Sequence, residues 1–278
     1  MSNKFADKVV VVTGIGSGIG AALAVALGSC GAHIAMSDVN EVGLVETEMR
    51  IRHANPGARV MVDRIDVTDR AALRDYSGQV AEEFGKVNQI YSIAGVGFIG
   101  DVEISRFEDI ERVIDIDFWG VVNCTKIFLP YLIASGDGHI VNMSSMAGIL
   151  AVQGQSAYAA AKFAVRGFTE ALRQEMLAAG HPVAVTAVHP GGVKTSIARS
   201  ASTADGVDAA AVSRVFDRMA ITSPDRAARI ILNGVRRSKA RVLVGPDAKA
   251  LDLVVRLTAS GYQRLLTSAL LRPIHTNN

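Results

Sequence analysis

The sequence predicts an α/β fold in which a doubly wound parallel sheet of about seven strands carries helices on both faces. Three observations predict it. Short apolar runs rich in Val and Ile alternate along the chain with segments of helical period. The runs lack polar alternation, as expected of strands buried on both faces. No Pro- or Ser-rich linker divides the 278 residues, so 1–278 reads as one domain.

The strand-like runs are 9–12, 33–37, 59–65, 89–93, 139–143, 183–188 and 241–244. Helical patterns between them cover 19–30, 41–53, 69–84, 107–134, 157–179 and 225–236. Two stretches break the rhythm. Residues 197–221, rich in Ala, Ser and Asp after a Pro-Gly pair, suit a mobile substrate-loop insertion above the sheet. Residues 246–278 form a C-terminal extension in which Leu251, Val254, Val255 and Thr258 share a helical face, with Asp252 and Arg256 off it. That face can pack on the body or on a partner; a membrane-surface role needs a more cationic polar side.

Composition excludes several functions. A hydrophobic share of 49% supports a sizeable core, and 20% charged residues is too few for a disordered polyelectrolyte. The net charge is +2 and the basic residues are scattered, so no nucleic-acid partner is expected. The densest basic run, around Arg236, Arg237, Lys239 and Arg241, suits the solvated end of a helix. Cys30 and Cys124 offer neither metal spacing nor a disulfide framework, and a reducing compartment suits them. The first residues, Met1 to Lys8, run straight into a strand-like segment, so no signal peptide is expected. The longest uncharged run, 140–161, is too polar to span a bilayer. The expectation is a cytoplasmic protein without an integral membrane segment.

Thr13-Gly14-Ile15-Gly16-Ser17-Gly18-Ile19-Gly20 follows the first strand and opens the first helix. Glycines there allow a tight turn and close approach to a pyrophosphate, which the helix N-terminus then meets. The spacing is TGxxxGxG, with Gly14, Gly18 and Gly20 as its glycines. Asp38 ends the second strand, where a carboxylate can accept from both adenosine ribose hydroxyls and would repel a 2′-phosphate. Positions 17 and 39 hold Ser17 and Val39, neither a cation, so NAD is favoured over NADP. Asp66 and Val67 end the third strand. Asp66 suits either the adenine edge or a helix N-cap.

Tyr158 and Lys162 stand four residues apart, on one helix face, and Ser145 lies at a strand end upstream. Ligands bind at such ends in open α/β sheets. The ordered set of TGxxxGxG, Asp38, Ser145, Tyr158-xxx-Lys162 and Pro190-Gly191-Gly192-Val193-Lys194-Thr195 resembles the short-chain dehydrogenase/reductase family, over roughly residues 5 to 245. The resemblance implies a Rossmann-type fold and NAD-dependent chemistry on CH–OH or C=O groups. It implies that Tyr158 exchanges the substrate proton, Ser145 polarises the carbonyl and Lys162 binds the nicotinamide ribose. Gly14, Ser17, Gly18, Ile19, Asp38, Asp66, Val67, Ala94, Gly95, Pro190, Gly191, Val193 and Thr195 would line the cofactor, the last two at the carboxamide. A homodimer or homotetramer is also implied, through 107–134 and 157–179.

The magnitudes allow the tyrosine role. A phenol serving as base near neutrality needs a shift of about 2–3 units, or about 3–4 kcal/mol. A cation about 4 Å away at effective dielectric ~20 supplies about 4 kcal/mol. Two positions depart from the family. Ser92-Ile93-Ala94-Gly95 replaces Asn-Asn-Ala-Gly, and Ser92 could restore one lost hydrogen bond. Asp117 stands where a proton-relay Asn is usual; an ionised carboxylate accepts but cannot donate. Near Lys162 it would oppose the cation's effect on Tyr158, unless only the backbone carbonyl at that position matters. The length after the last strand suggests a lipophilic alcohol or ketone as substrate. The alternative is a catalytically weak NAD-binding protein of the same fold, acting through binding or assembly.

Overall fold

The strands and helices form where the apolar runs and helical periods place them in the computed structural model, which describes residues 4–198 and 200–264. Strand β1 (Val9–Thr13) leads to α1 (Gly18–Ser29), β2 (His33–Asp38), α2 (Glu41–Ala54), β3 (Val60–Arg64), α3 (Arg70–Phe84) and β4 (Gln89–Ser92). Next come β5 (Phe98–Ile99), α4 (Phe107–Ile114), α5 (Gly120–Ala134), β6 (Gly138–Met143), α6 (Ser156–Ala178) and β7 (Val183–Pro190). The chain continues through β8 (Ser202–Thr203), α7 (Ala209–Met219), α8 (Pro224–Arg236), β9 (Arg241–Val244) and α9 (Pro246–Thr258).

Seven strands pair in parallel in the order β3-β2-β1-β4-β6-β7-β9. The order reverses between β1 and β4, with Val10 opposite Ile34 on one side and Gln89 on the other. Loops leaving these two strands diverge to opposite faces, which opens a crevice at their carboxyl ends. Every β1 residue is buried because helices cover both faces. On one face, α1, α2 and α8 pack Leu23, Leu27, Ile51, Ile231 and Leu232 against Val10, Val12 and Ile34. On the other, α3, α5 and α6 bring Leu73, Tyr76, Phe128, Leu132 and Leu172 against Val9, Val11 and Ile140. Each large apolar side chain so buried stabilises the fold by about 1.5–3 kcal/mol.

Three readings need correction. The single helix expected over 107–134 is interrupted by a π-turn, Asp115–Trp119, between α4 and α5. A π-turn inserts one extra residue, and here it carries Asp117 into the interior at 0% exposure. This run is long and apolar enough to cross a membrane by composition. Val121, Cys124, Phe128 and Leu132 of this run, however, are buried in the protein's own core.

The stretch expected as an insertion contains regular elements that its composition did not suggest. Strand β8 pairs in parallel with β5, and α7 starts at Asp208, whose carboxylate accepts from the Ala210 and Ala211 N–H groups. An N-cap followed by alanines is a helix start that the loop-like composition concealed.

The C-terminal face is also rotated. Ala248, Leu251 and Val255, with Tyr262, pack on Met146, Ile149 and Leu150 of the body. Leu257 is exposed and Val254 partly so. Asp252, expected outside, is buried because Arg241 and Arg256 pair with it. Residues 265–271 of the expected helix lie outside the described residues.

Candidate active site

The glycine loop sits between β1 and α1, at the crevice. Gly14 has φ +74°, and a Cβ on it would lie 2.4 Å from the Ala94 nitrogen. Only glycine lets the β1 and β4 loops approach so closely. Ser17 caps α1, Gly18 touches the Thr195 methyl, and the Ser17 and Ser196 hydroxyls hydrogen-bond at 2.8 Å. Ile19 is partly buried against the α1 side of the core. The loop therefore touches both the Ala94-Gly95 turn and the segment after β7.

Asp38 reaches back over this loop. Its carboxylate accepts from the Gly16 N–H and the Asn40 N–H, each at 2.8 Å. Asp66 is exposed at the same edge and accepts from the Thr68 N–H and hydroxyl; the cap of α3 is Asp69 instead. Val67 is buried against Gly120, and its carbonyl accepts from Asn123. The Ser92 hydroxyl does not restore a bond: it is buried without a partner. Thr13 Oγ braces the end of β4, accepting from the Ile93 N–H at 3.2 Å.

Ser145 follows β6 in extended backbone, and its hydroxyl accepts from the Ala147 N–H. Two residues fix this turn from behind. Ser144 donates to the Lys162 carbonyl at 2.8 Å, and His189 Nδ1 lies 3.0 Å from the Ser145 carbonyl. Burial pushes His189 down to about 4, so it is neutral near pH 7. On α6, Lys162 Nζ lies 5.5 Å from the centre of the Tyr158 ring. It donates to the Met143 carbonyl and pairs with the Asp117 carboxylate at 3.0 Å, both side chains being buried. Asp117 also accepts from the Val96 N–H at 2.7 Å. A Cβ on Gly95 would sit within 3.4 Å of both charged groups, so the turn packs directly over the pair.

The electrostatics depart from the expectation. Burial pushes the Tyr158 phenol above its ordinary value; Lys162 draws it down, Asp117 pushes it up, and a hydrogen bond with Ser145 lowers it. The net direction is upward, so in the chain alone the cation does not prevail. Burial likewise raises the Asp117 carboxyl, against the pull of Lys162. Lys162 is held above the usual lysine value, Asp117 and Tyr158 outweighing the burial that lowers it.

The expected residues thus meet along one sheet edge. Ser145, Tyr158, Lys162 and Asp117 lie at the β4–β6 end, and Gly14, Ser17, Gly18 and Asp38 at the β1–β2 end. Pro190, Gly191, Val193 and Thr195 follow β7, with Val193 bridged to Thr222. The sequence reading missed Ser144, His189 and Asp247. The last accepts from the Gly192 N–H at 2.6 Å. Its only signal was an acidic residue just after a strand-ending Gly245-Pro246.

A model of the short chain dehydrogenase family matches residues 8–206. SadH of Mycobacterium tuberculosis, which bears the name of an oxidoreductase, is 56% identical over 267 residues, covering 96% of each chain. A short-chain dehydrogenase/reductase from Burkholderia phymatum, solved in complex with NAD, superposes with TM-score 0.86 at 28% identity, over 95% of this chain and 97% of that one. Levodione reductase superposes with TM-score 0.79 at 27% identity, over 89% and 100%. The sheet order, the site edge and these matches together make the chain an oxidoreductase of the short-chain dehydrogenase/reductase family.

Proposed function

We propose that this oxidoreductase moves a hydride between NAD(H) and a secondary alcohol or ketone of hydrophobic character. The observation that carries the reading is the Tyr158 ring 5.5 Å from the buried Lys162 ammonium, with Ser145 at the end of the neighbouring β6, on the sheet edge that also holds the glycine loop. The residues fit the cofactor: the loop is cut back to backbone at Gly14, and Asp38 stands at its lip. Gly14, Ser17, Gly18 and Ile19 would meet the pyrophosphate, and Asp38 the adenosine ribose hydroxyls. Asp66 and Val67 would border the adenine. Ala94, Gly95, Pro190, Gly191, Val193, Thr195 and Lys162 would hold the nicotinamide end. When bound, the nicotinamide would supply the acceptor, or in reduced form the donor, of the hydride.

The protein's own part is the proton. Tyr158 Oη takes it from an alcohol or gives it to a carbonyl oxygen, and the Ser145 hydroxyl orients that oxygen. Lys162 supplies the cation that makes the phenolate accessible. Tyr158 packs against an apolar cluster that includes Phe98, Ala157 and Ala161, which favours an apolar substrate. Asp38 and the absence of a cation at Ser17 or Val39 favour NAD, and the Burkholderia relative binds NAD. Exposed Phe107, Trp119 and Phe163 on neighbouring helices support a homodimer or homotetramer. Unbridged Cys30 and Cys124 suit a cytoplasmic setting.

The test is a panel of hydrophobic alcohols and ketones with NAD(H) and NADP(H), followed at the nicotinamide absorbance, in wild type and Tyr158→Phe. Turnover should prefer NAD(H) and fall about 10²- to 10⁴-fold in the variant, with NADH affinity within a few-fold. Retained turnover in the variant removes Tyr158 from the mechanism. A second reading, a catalytically weak NAD-binding protein, draws on the upward push of Asp117 on Tyr158. It requires NADH binding without turnover across the whole panel.

A further inference from the structure

The C-terminal helix begins at Gly245, whose φ of +104° turns the chain back under the loop that follows β7. Asp247, in its first turn, lies flush against that loop. A Cβ on Gly191 would meet the carboxylate oxygen at 2.1 Å, so glycine is what lets the carboxylate in. One oxygen accepts from the Gly192 N–H, and the other is buried without a hydrogen-bond partner. The Thr222 hydroxyl, also buried and unpartnered, borders the same space beside Gly245. The rest of the loop is held by backbone. Gly191 donates to the Val244 carbonyl, Ile221 and Thr222 donate to the Gly192 carbonyl, and Lys194 donates to the Thr222 carbonyl.

Asp247 is thus the side chain that ties the start of α9 to the Gly191-Gly192 turn at the end of β7, a turn to which backbone bonds also hold the exit from α7. Val193 and Thr195, immediately downstream, stand at the nicotinamide end under the function proposed above. We infer that Asp247 is a positioning residue: it fixes the Gly191-Gly192 turn so that Val193–Thr195 receives the nicotinamide half of the cofactor. The C-terminal extension thereby governs how that half is seated, while the adenosine half is bound independently at Asp38 and the glycine loop. The inference rests on the NAD reading of the site.

The experiment compares the affinities of NADH and ADP-ribose, which lacks the nicotinamide, by calorimetry on the full chain. Asp247→Ala should weaken NADH about tenfold and leave ADP-ribose within twofold. Asp247→Asn keeps an acceptor for the Gly192 N–H and should restore most of the NADH affinity. Gly191→Ala forces the carboxylate out and should reproduce the alanine effect if Asp247→Ala does not fold. Equal loss of both ligands, or no loss in any folded variant, overturns the positioning role. Wild type that binds ADP-ribose but not NADH overturns the proposed function itself, and the inference with it.

Discussion

At the β2 end of the crevice, Asp38 is half-buried and accepts two backbone N–H groups from the chain around it. At the β4–α6 end, Asp117 is wholly buried, accepts one backbone N–H and faces a buried lysine at 3.0 Å. Both carboxylates sit beside a glycine turn, at Gly16 and Gly95 respectively. Their surroundings give them opposite energetics. Asp38 keeps access to solvent and has spare acceptor capacity for a ligand. Asp117 has been taken out of water, and its charge is sustained by Lys162 alone among side chains it touches. Under the proposed function the carboxylate that meets a ligand stays partly in water, whereas the one beside the buried lysine is desolvated and couples strongly to it.

The largest test of this contrast is stability. Asp117→Ala leaves Lys162 buried without its counter-ion and should cost about 3–5 kcal/mol. Asp38→Ala removes an acceptor from two N–H groups that water can reach and should cost about 1 kcal/mol. Urea unfolding followed by circular dichroism measures both. Similar losses would break the contrast, because they would mean that Lys162 finds water or another acceptor when Asp117 is gone.

The two ends were also unequally legible in the sequence. The glycine loop, Asp38 and the parallel sheet follow from local order along the chain: strand, turn, helix, strand. A residue's place in that order fixes which sheet edge it occupies, so periodicity suffices. Tyr158 and Lys162 could be placed on one helix face, but their charge balance could not. It depends on Asp117, brought inward by a π-turn that leaves no hydrophobic signature, and on burial that only the packed core creates. The same limit applies to Asp252. Its polar type argued for solvent, while Arg241, contributed by β9, holds it inside. Helix α7 was hidden for a different reason, since Ala, Ser and Asp serve a capped helix as readily as a loop.

A smaller effect concerns ligand choice at the solvated end. Asp38→Ala removes the charge that would repel a 2′-phosphate, and Ser17 and Val39 offer no cation to attract one. NADP should therefore gain on NAD by about tenfold rather than replace it, from loss of NAD affinity and relief of repulsion together. Binding of both cofactors by calorimetry measures the ratio. An unchanged ratio would remove Asp38 from cofactor choice and leave it as a brace for the glycine loop.

The smallest effect sharpens the buried end. Under the proposed function alcohol oxidation needs the Tyr158 phenolate, so its rate should rise with pH through the Tyr158 pKa. Burial raises that pKa, Lys162 opposes the rise, Asp117 adds to it and Ser145 lowers it. Asp117→Asn removes one raising cause, which should move the rising limb to lower pH. A competing effect has the opposite sign. Asp117 also holds the Lys162 pKa up against burial, and an asparagine no longer does. Should Lys162 then lose its proton near neutral pH, Tyr158 loses its cation and the limb moves to higher pH instead. A pH–rate profile of wild type and variant therefore separates two roles. An acid shift shows Asp117 acting on Tyr158 directly, and an alkaline shift shows it acting as keeper of the lysine charge. Superimposable profiles break the comparison, for they would mean that the buried carboxylate carries no more weight in the chemistry than its backbone.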